Sequence, residues 1–246
     1  MAKTKTVLMC PPTYFDIEYE INPWMHTDDQ PAEDTAASQW QKLYKIYTEQ
    51  LGWHVELIKP IRGLPDMVFA TDCSLMIDGQ VMLSHFRYPE RRPETEQFEK
   101  WFKDKGYTNI KRSNPFFEGG GDTMVFGDKI IAGHGFRSDI KAHDELREDT
   151  SLAVLDDITV AYCPGAIDKD SQERLQAAVP NLIEATEDEA ISFGLNAVSD
   201  GRTVICSNES ESLLQKYRSA GFEVIGTPIL EFRKSGGGVK CLTLEL

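Results

Sequence analysis

The sequence predicts an α/β fold built from ββαβ units that repeat radially around a central site. Pairs of short apolar segments are separated by turns such as Asp78-Gly79 and Asp200-Gly201, which favour adjacent antiparallel strands over the crossovers of a Rossmann layout. A helical segment and one more strand follow most pairs, and successive units begin about 40 to 50 residues apart. Closing such a ring protects the edges of its sheets.

The first unit is assembled from both ends of the chain. Residues 6–10 are predicted to form a strand. The polar loop that follows, at 13–34, is long enough to suggest a function. A helix over 35–50 precedes a strand at 53–58, and the apolar face of this helix consists of Trp40, Leu43, Tyr44 and Tyr47. We expect a C-terminal strand led by Val239 to complete this unit and close the ring.

Four further units follow, and the third unit of the chain is short. Only Glu148 and Asp149 separate its helix from the next strand, so it spans about 33 residues and has no room for a closing strand. The predicted elements are strands 67–77 and 81–84, helix 94–105 and strand 108–111 in the second unit; strands 122–126 and 129–132 and helix 137–147 in the third; strands 152–155 and 158–162, helix 169–179 and strand 181–185 in the fourth; and strands 196–199 and 203–206, helix 210–220 and strand 223–225 in the fifth.

Composition limits the partners of the protein. A chain of 246 residues can bury one sizeable core, so we expect a single domain, 1–246. The formal net charge of -14 disfavours nucleic acid and anionic membranes as partners and favours a cationic ligand. The apolar run before Pro11 is too short for a signal peptide, and no segment is long enough to span a membrane.

Two glycine runs mark the candidate site. The C-terminal run, 236–238, shortly precedes Cys241. Glycine lets a ligand approach the backbone, so this run can present the Cys241 thiol to a cleft. Lys240 and a desolvated cation in the pocket would favour the thiolate, which is the reactive form. The second run, 119–121, has acidic residues on both sides.

The five cysteines indicate a reducing compartment. They are odd in number, far apart in sequence and without C-x-x-C spacing, so they support neither a disulfide framework nor a zinc site. Neither glycine run continues into the Lys-Ser/Thr pair of a phosphate loop. We therefore expect a cytoplasmic protein without a metal. Apart from Cys241, the cysteines are predicted to be core residues: Cys10, Cys73, Cys163 and Cys206.

These motifs resemble those of the guanidine-modifying superfamily, which includes dimethylarginine dimethylaminohydrolases, arginine deiminases and dihydrolases, and amidinotransferases. The matching segments span nearly the whole chain and are L-P-D-M-V-F at 64–69, F-E-G-G-G-D at 117–122, G-F-R-S-D at 135–139 and the terminal G-G-G-x-K-C. M-C-P-P at 9–12 and I-N-P-W-M at 21–25 are most similar to the bacterial arginine dihydrolase and dimethylarginine dimethylaminohydrolase-like branch. The resemblance implies a five-bladed pseudosymmetric α/β propeller, or pentein, that needs no cofactor.

The resemblance also implies roles for individual residues. Cys241 matches the family nucleophile, and Asp122 matches the carboxylate that binds the reacting guanidine and orients a histidine. Asp66 and Asp72 match acidic positions of the substrate loop, with Phe69 between them. Carboxylates suit this task because two oxygens can accept the paired N–H donors of a guanidinium.

Three more positions are expected to bind substrate. Arg137 and Arg91 match arginines that anchor a substrate α-carboxylate, and Asn22 lies in the polar N-terminal loop. Asp72 stands where the dihydrolase-like branch tends to have Asn, and Thr71 replaces an acid of the dimethylarginine hydrolases. These departures leave the identity of the guanidine substrate open.

One family residue has no match. Relatives carry a strand and an H-L-D-T motif at the end of the third unit, and its histidine is their general acid and base. Here Asp149 and Thr150 match the end of that motif, and the His-Leu pair is absent. Either the protein lacks this segment, or the sequence as given omits it. His134 is a local candidate for a replacement proton shuttle, or else a polar residue at a strand end.

The resulting prediction is a hydrolase that acts on the guanidino group of arginine or a methylated arginine through a cysteine thiouronium intermediate. The alternatives are an amidinotransferase, which needs an acceptor amine, and a catalytically inactive guanidine-binding relative. Glu118 is expected to support its loop rather than to react. The partner is therefore a small guanidine, and the sequence leaves open whether the protein is a homo-oligomer.

Overall fold

A computed structural model describes residues 4–77, 79–126, 129–132, 138 and 152–246. Its strands are β1 Thr6–Met9, β2 His54–Leu57, β3 Ser74–Ile77, β4 Gln80–Leu83, β5 Ile110–Arg112, β6 Thr123–Phe126, β7 Lys129–Ala132, β8 Leu152–Val154, β9 Thr159–Tyr162, β10 Asn181–Glu184, β11 Val198–Ser199, β12 Thr203–Ser207, β13 Glu223–Thr227 and β14 Leu244–Glu245. Its α-helices are α1 Glu33–Lys45, α2 Arg92–Asp104, α3 Lys169–Ala178, α4 Glu187–Ile191, α5 Glu211–Ser219 and α6 Leu230–Arg233.

Three sheets repeat one arrangement. In each, an antiparallel pair is followed by a helix and then by a third strand parallel to the second, which gives the orders β3-β4-β5, β8-β9-β10 and β11-β12-β13. The connecting helices are α2, α3 and α5. The sequence prediction of ββαβ units is confirmed for these three.

The two ends of the chain share a fourth sheet. Strand β14 pairs antiparallel with β1, where Leu244 faces Leu8, and β2 pairs parallel with β1 after the chain has passed through α1. A π-helical turn at Ile46–Gln50 extends α1. The prediction that both termini build one unit is therefore confirmed.

The fifth sheet contains β6 and β7, which pair antiparallel as predicted. The predicted helix 137–147 and the short junction from Arg147 to Thr150 lie outside the described residues. Among the strands that the structure does describe, none closes a sheet upon itself. The architecture is thus an α/β arrangement of small sheets, mixed wherever a third strand is present.

Neighbouring sheets contact one another. Strand β14 contacts β3, the 3-10 turn Gly119–Gly121 contacts β3 and β6, β6 contacts β8, β8 contacts β11, and α1 contacts β13. The apolar face predicted for helix 35–50 is largely buried: Trp40 and Leu43 in α1 and Tyr47 in the π-helical turn are buried, and Tyr44 is half-buried. Within the described part of the chain, no helix has both the length and the apolar character needed to cross a bilayer.

The prediction of a strand over 67–77 is wrong in its first part. Pro65–Val68 and Ala70–Cys73 form 3-10 turns, and the strand begins only at Ser74. Each turn carries an aspartate whose carboxylate approaches the buried Arg91. In an extended strand these two aspartates, six residues apart, would be about 20 Å from each other. Reaching one guanidinium therefore requires turns.

The prediction of a strand led by Val239 is also wrong. The chain turns after the glycine run, because Leu242 N–H donates to Gly238 O at 3.1 Å and Thr243 N–H donates to Lys240 O at 3.0 Å. The extended segment starts at Leu244. Cys241 consequently lies on a turn, and the strand that follows fixes this turn to β1.

The two turns next to β3 and β6 touch at backbone distance. Gly119 has a left-handed backbone with φ of +55°, and a Cβ atom there would lie 2.6 Å from Thr71 O and 2.8 Å from Asp72 O. Contacts this short are essentially never made by a real Cβ atom. The first glycine of this run is therefore required by packing.

Gly119→Ala is expected to lower the free energy of unfolding more than Gly52→Ala does. Both positions have positive φ, +55° and +65°, so an alanine costs each about 1 to 2 kcal/mol in backbone strain. A Cβ at Gly52 meets nothing within 4 Å, whereas at Gly119 it forces two backbone segments apart, which adds about 1 to 3 kcal/mol. Urea denaturation of both variants measures the difference. Equal losses would contradict the close approach of the two turns.

Candidate active site

Cys241 is held in place by contacts with two other units of the chain. The residue is 7% exposed. Its carbonyl oxygen accepts a hydrogen bond from Thr71 N–H at 3.2 Å. Asn196 Nδ2 lies 3.1 Å from its Sγ, and Asn196 Oδ1 accepts the N–H groups of Lys240 and Cys241 at 2.8 and 3.2 Å. Both the backbone and the thiol of Cys241 are therefore fixed by partners distant in sequence.

The thiol shares a small cavity with acidic side chains. Its volume is about 40 Å³, and one water needs about 10 to 15 Å³ on this measure. The cavity can thus hold a planar group of a few heavy atoms. It is lined by Ile21, Asn22, Asp66, Phe69, Asp72, Tyr88, Arg91, Glu118, Ser235, Gly236, Gly237 and Cys241.

Three carboxylates surround the guanidinium of Arg91, which is 4% exposed. Nη1 donates to Asp72 Oδ2 at 2.8 Å, and Nε and Nη2 donate to the two oxygens of Glu94, each at 3.0 Å. Asp66 Oδ2 lies 3.8 Å from Nε and accepts a hydrogen bond from Tyr19 Oη at 2.9 Å. The single positive charge of Arg91 is therefore shared among three buried carboxyl groups.

Two carboxyl groups of this cluster have raised pKa values. Burial raises the pKa of Asp66, although Arg91 and Tyr19 act in the opposite direction. Burial also raises the pKa of Glu94 to about 7 against the lowering effect of Arg91. A second cation in the cavity would favour the charged forms of these carboxyl groups.

The C-terminal glycine run packs against Phe69 and Asn22. A Cβ at Gly237 would overlap the Phe69 ring, with Cε1 only 2.1 Å away, and Gly236 has a φ of +79°. Asn22 Nδ2 donates to Ser235 O at 3.1 Å, while its Oδ1 accepts the N–H of Trp24 at 2.9 Å. Asn22 thus joins the N-terminal loop to the turn that carries the thiol.

Glu118, which was expected to support its loop, is 2% exposed and lines the cavity. Asp122, the predicted guanidine-binding carboxylate, is not among the described residues that line it. Asp122 Oδ2 accepts a hydrogen bond from Ser138 Oγ at 2.7 Å, and this hydroxyl accepts Glu118 N–H at 3.1 Å. Asp122 is therefore linked through Ser138 to the backbone of Glu118, which lines the cavity together with Cys241.

The candidate replacement shuttle, His134, and the predicted carboxylate anchor, Arg137, both lie outside the described residues. The described histidines, His26, His54 and His85, do not line the cavity.

Lys240, predicted to favour the thiolate, has its Nζ 2.9 Å from Glu245 Oε1, and Lys5 pairs with the same carboxylate. These two ammonium groups outweigh burial and lower the pKa of Glu245 to about 2.

The remaining cysteines are core residues, as predicted. Cys10, Cys73, Cys163 and Cys206 are each at most 2% exposed, and all five cysteines are free thiols. Burial raises the pKa of Cys10 and of Cys206 to about 12 and that of Cys73 well above its usual value. These three thiols are therefore poor nucleophiles.

A larger cavity of about 700 Å³ lies on the other side of the same loops. Thr71 and Lys240 line it, whereas their chain neighbours Asp72 and Cys241 line the small cavity. Its described wall carries charges of both signs and no cysteine. Size alone would favour the larger cavity, but the nucleophile and the acidic cluster favour the small one. Within the described ranges, no His, Cys, Asp or Glu residues are grouped as a metal site would need.

Sequence reasoning missed three residues of this site. Glu94 follows Arg91 by three residues at the start of α2, a spacing that places both on one helix face. Asn196 was assigned to a strand, where Asn is disfavoured, and β11 in fact starts two residues later. Tyr19 lies in the long N-terminal loop and carries no comparable signal.

Known proteins resemble this chain over nearly its whole length. A family model described as N,N dimethylarginine dimethylhydrolase, eukaryotic, matches residues 12–161. The N(G),N(G)-dimethylarginine dimethylaminohydrolase of Mycobacterium tuberculosis is 37% identical over 263 aligned positions, which cover 99% of this chain and 86% of the relative. Since 263 exceeds the 246 residues of this chain by 17, at least 17 positions of the alignment have no counterpart here.

The bifunctional arginine dihydrolase/ornithine cyclodeaminase AgrE of Nostoc sp. is 36% identical over 97% of this chain, which matches only 37% of the length of AgrE. The crystal structure of unliganded AgrE superimposes with a TM-score of 0.91 at 34% identity, covering 98% of this chain and 39% of AgrE. A variant of AgrE in complex with L-arginine superimposes equally well, with a TM-score of 0.91. By sequence and by structure, the chain belongs to the dimethylarginine dimethylaminohydrolase and arginine dihydrolase branch of the guanidine-modifying superfamily.

Proposed function

We propose that the protein hydrolyses the guanidino group of arginine or a methylated arginine through a covalent intermediate on Cys241. The observation that carries this proposal is the small cavity that Cys241 lines together with Asp66, Asp72 and Glu118. Membership in the family makes the chain an enzyme of the C–N hydrolase type. The relative AgrE, named an arginine dihydrolase, has been solved with L-arginine.

The cavity suits a planar cation. Asp66 Oδ1 is buried without a hydrogen-bond partner among the described residues, and a buried carboxylate oxygen without a partner is costly. A substrate guanidinium would supply N–H donors and a positive charge at this point. Because the acidic residues outnumber Arg91, binding a second cation also relieves their mutual repulsion. Asp66, Asp72 and Phe69 are therefore assigned to the guanidine-binding set, and Glu118 joins them.

The first chemical step forms a carbon–sulfur bond. The Cys241 thiolate adds to the central guanidinium carbon, one carbon–nitrogen bond breaks, and the departing amine takes up a proton. The product of this step is a thiouronium on Cys241. Carboxylates that hold the remaining nitrogens keep the reacting carbon beside Sγ, which lowers the entropy cost of the attack.

The second step requires a base. Water adds to the thiouronium carbon, the carbon–sulfur bond breaks, and a ureido product leaves while Cys241 regains its thiol. Relatives use a histidine at the end of the third unit, the position where this chain is short. Because that histidine is also the general acid for the departing amine of the first step, we propose that its absence slows both steps. An inactive guanidine-binding relative is the alternative that the missing histidine favours.

The five sheets are proposed to be the blades of a five-bladed propeller in one domain, 1–246. Their contacts link them in cyclic order, since α1 and β13 join the last sheet to the first. One strand from each sheet also lines the larger cavity, namely β3, β6, β8, β11 and β14. That distribution is expected for strands that surround a common axis. The third blade would lack its closing strand.

Substrate selection beyond the guanidine is assigned to Arg137 and Asn22. Arg137 is proposed to hold the α-carboxylate, whereas Arg91 has most of its N–H donors engaged by Asp72 and Glu94 and is assigned mainly to hold the acidic residues. Asn22 contributes to the wall of the cavity. The free thiols fit the cytoplasmic location that we propose.

Cys241→Ser is expected to abolish turnover and to prevent an amidino adduct. Hydroxyl is a much weaker nucleophile than thiolate at neutral pH. Mass spectrometry of products from a panel of guanidines, combined with peptide mapping of the enzyme, measures both effects. Cys163→Ser, which alters a buried thiol outside the cavity, is the matched control and should retain the adduct. An adduct on Cys73 would refute the assignment.

Arg137→Ala is expected to weaken arginine binding more than agmatine binding, because agmatine has no carboxylate for the arginine to hold. Loss of one charged hydrogen-bond partner should cost about 1.5 to 3 kcal/mol for arginine alone. Binding calorimetry with both ligands gives the ratio of affinities. Arg202→Ala, at an exposed ion pair with Glu223, serves as the control. An unchanged ratio in Arg137→Ala would show that the carboxylate is held elsewhere.

A polypeptide of 27.8 kDa is expected to hydrolyse guanidines very slowly while still binding them. Loss of general acid-base catalysis costs about 10² to 10⁴-fold in rate. Intact-mass measurement comes first, because a mass higher by about that of a strand and a loop would mean that the sequence as given omits the segment. Fast hydrolysis by a chain of 27.8 kDa would instead direct attention to His134.

A further inference from the structure

We propose that Asn196 is a catalytic residue that stabilises the Cys241 thiolate by a hydrogen bond from its amide. This inference rests on the proposed role of Cys241 as the nucleophile. It concerns the contact between Asn196 Nδ2 and Cys241 Sγ, 3.1 Å apart. Asn196 belongs to the segment that precedes β11, so it reaches the thiol from a unit far from the C-terminus in sequence.

The hydrogen-bond network determines the orientation of the Asn196 amide. Oδ1 faces the N–H groups of Lys240 and Cys241 at 2.8 and 3.2 Å, and both groups can only donate. An oxygen must therefore occupy that side, and the NH₂ group must face the sulfur. Since an amide NH₂ group only donates, Cys241 Sγ is the acceptor in this contact. A thiolate accepts such a bond more strongly than a thiol does.

Backbone strain supports the same role. Phe193 has a φ of +60°, which is uncommon for a bulky residue and costs about 1 to 2 kcal/mol. This residue lies within the turn at 192–195 that follows α4, and Asn196 N–H donates to Phe193 O at 3.2 Å. The Phe193 ring packs edge-on against Trp24, with centroids 5.3 Å apart. The strained turn thus holds Asn196 at a fixed distance from the thiol.

Gly238 packs closely against the side chain of Asn196. A Cβ atom at this position would lie 2.6 Å from Asn196 Oδ1 and 2.9 Å from its Cγ. No positive φ is involved at Gly238, so the space for the amide is what requires glycine here. The last glycine of the C-terminal run therefore leaves space for the side-chain amide of Asn196.

Other charged groups near Cys241 also affect the stability of its thiolate. The carboxylates in the cavity disfavour a further negative charge on sulfur, and Arg91 is balanced by Asp72 and Glu94. On the opposite side, Lys240 is paired with Glu245. The titratable and charged groups that line the cavity with Cys241 are Asp66, Asp72, Tyr88, Arg91 and Glu118.

The test uses alkylation of Cys241, which requires no turnover. Iodoacetamide reacts with the thiolate, and peptide mass spectrometry reports the rate at Cys241 as a function of pH. Asn196→Asp keeps an oxygen for the two backbone N–H groups but turns a carboxylate oxygen toward sulfur. We expect the midpoint of the pH profile to rise by about 1 to 2 units, the equivalent of one lost hydrogen bond to a charged group. Asn181→Asp, an exposed position at the start of β10, is the matched control and should leave the midpoint unchanged.

Gly238→Ala provides a second variant that leaves Asn196 in the sequence. The new methyl group displaces the amide, so the midpoint should move in the same direction as in Asn196→Asp. Gly165→Ala is its control, because a Cβ there would lie 2.7 Å from a Glu187 side-chain oxygen in another part of the chain. Circular dichroism establishes that each variant is folded, and if Asn196→Asp fails to fold, Gly238→Ala decides.

A midpoint that stays unchanged, or falls, in either folded variant overturns the proposal. The role of Asn196 and the proposed hydrolase function are tested separately, because the alkylation midpoint and guanidine hydrolysis are measured in independent assays. A raised midpoint in a protein that hydrolyses no guanidine would support the contact and refute the hydrolase. Hydrolysis with an unchanged midpoint would support the hydrolase and refute the role of Asn196.

Discussion

The site depends on the burial of Arg91 among the carboxylates of Asp72, Glu94 and Asp66. Removing the solvation of such charges costs several kcal/mol for each ion, so the arrangement persists only while its partners remain together. Removing one partner would leave an uncompensated buried charge, at a cost of about 3 to 5 kcal/mol. The cluster joins the first turn of α2 to the two 3-10 turns before β3, and Tyr19 extends it to the N-terminal loop. One cation therefore organises three separate segments of the chain.

The same cluster explains why the cavity is suited to a guanidinium. Arg91 shows how these carboxylates accept a planar cation, because its N–H groups pair with oxygens of Asp72 and Glu94 at 2.8 to 3.0 Å. Burial raises the pKa of Asp66 and of Glu94, and the neighbouring carboxylates add a smaller effect in the same direction. A substrate cation would add to the positive charge of Arg91 in this cluster. In the proposed function, recognition of the guanidine therefore rests on an incomplete ion-pair network in the protein itself.

Much of this fold could be predicted from local pattern. Short apolar pairs with glycine-containing turns gave the antiparallel strands, and helical periodicity gave α1, α2, α3 and α5, because these features depend on residues close in sequence. The strand predicted over 67–77 failed because Arg91, distant in sequence, draws two aspartates into turns. The place of Glu118 on the cavity wall could not be predicted for a similar reason, because Ser138 joins Glu118 to Asp122 only in three dimensions. Asn196 was missed because its function depends on a partner 45 residues away.

Binding of the guanidine and acid-base catalysis draw on different units of the chain in the proposed reaction. Binding and the attack by sulfur use Cys241 from the C-terminal turn, its proposed partner Asn196, and the carboxylates near β3 and β6, all of which belong to the described residues. Hydrolysis of the thiouronium needs a base, and relatives provide it from the end of the third unit. The sheet of that unit has two described strands, β6 and β7, and β6 still contacts β3 through the Gly119–Gly121 turn and β8 directly. A shortened third unit would therefore lack the histidine of the relatives while the described contacts that build the cavity remain. Binding of a guanidine can on this basis outlast efficient hydrolysis, because the carboxylates proposed to hold it belong to described turns outside the shortened segment.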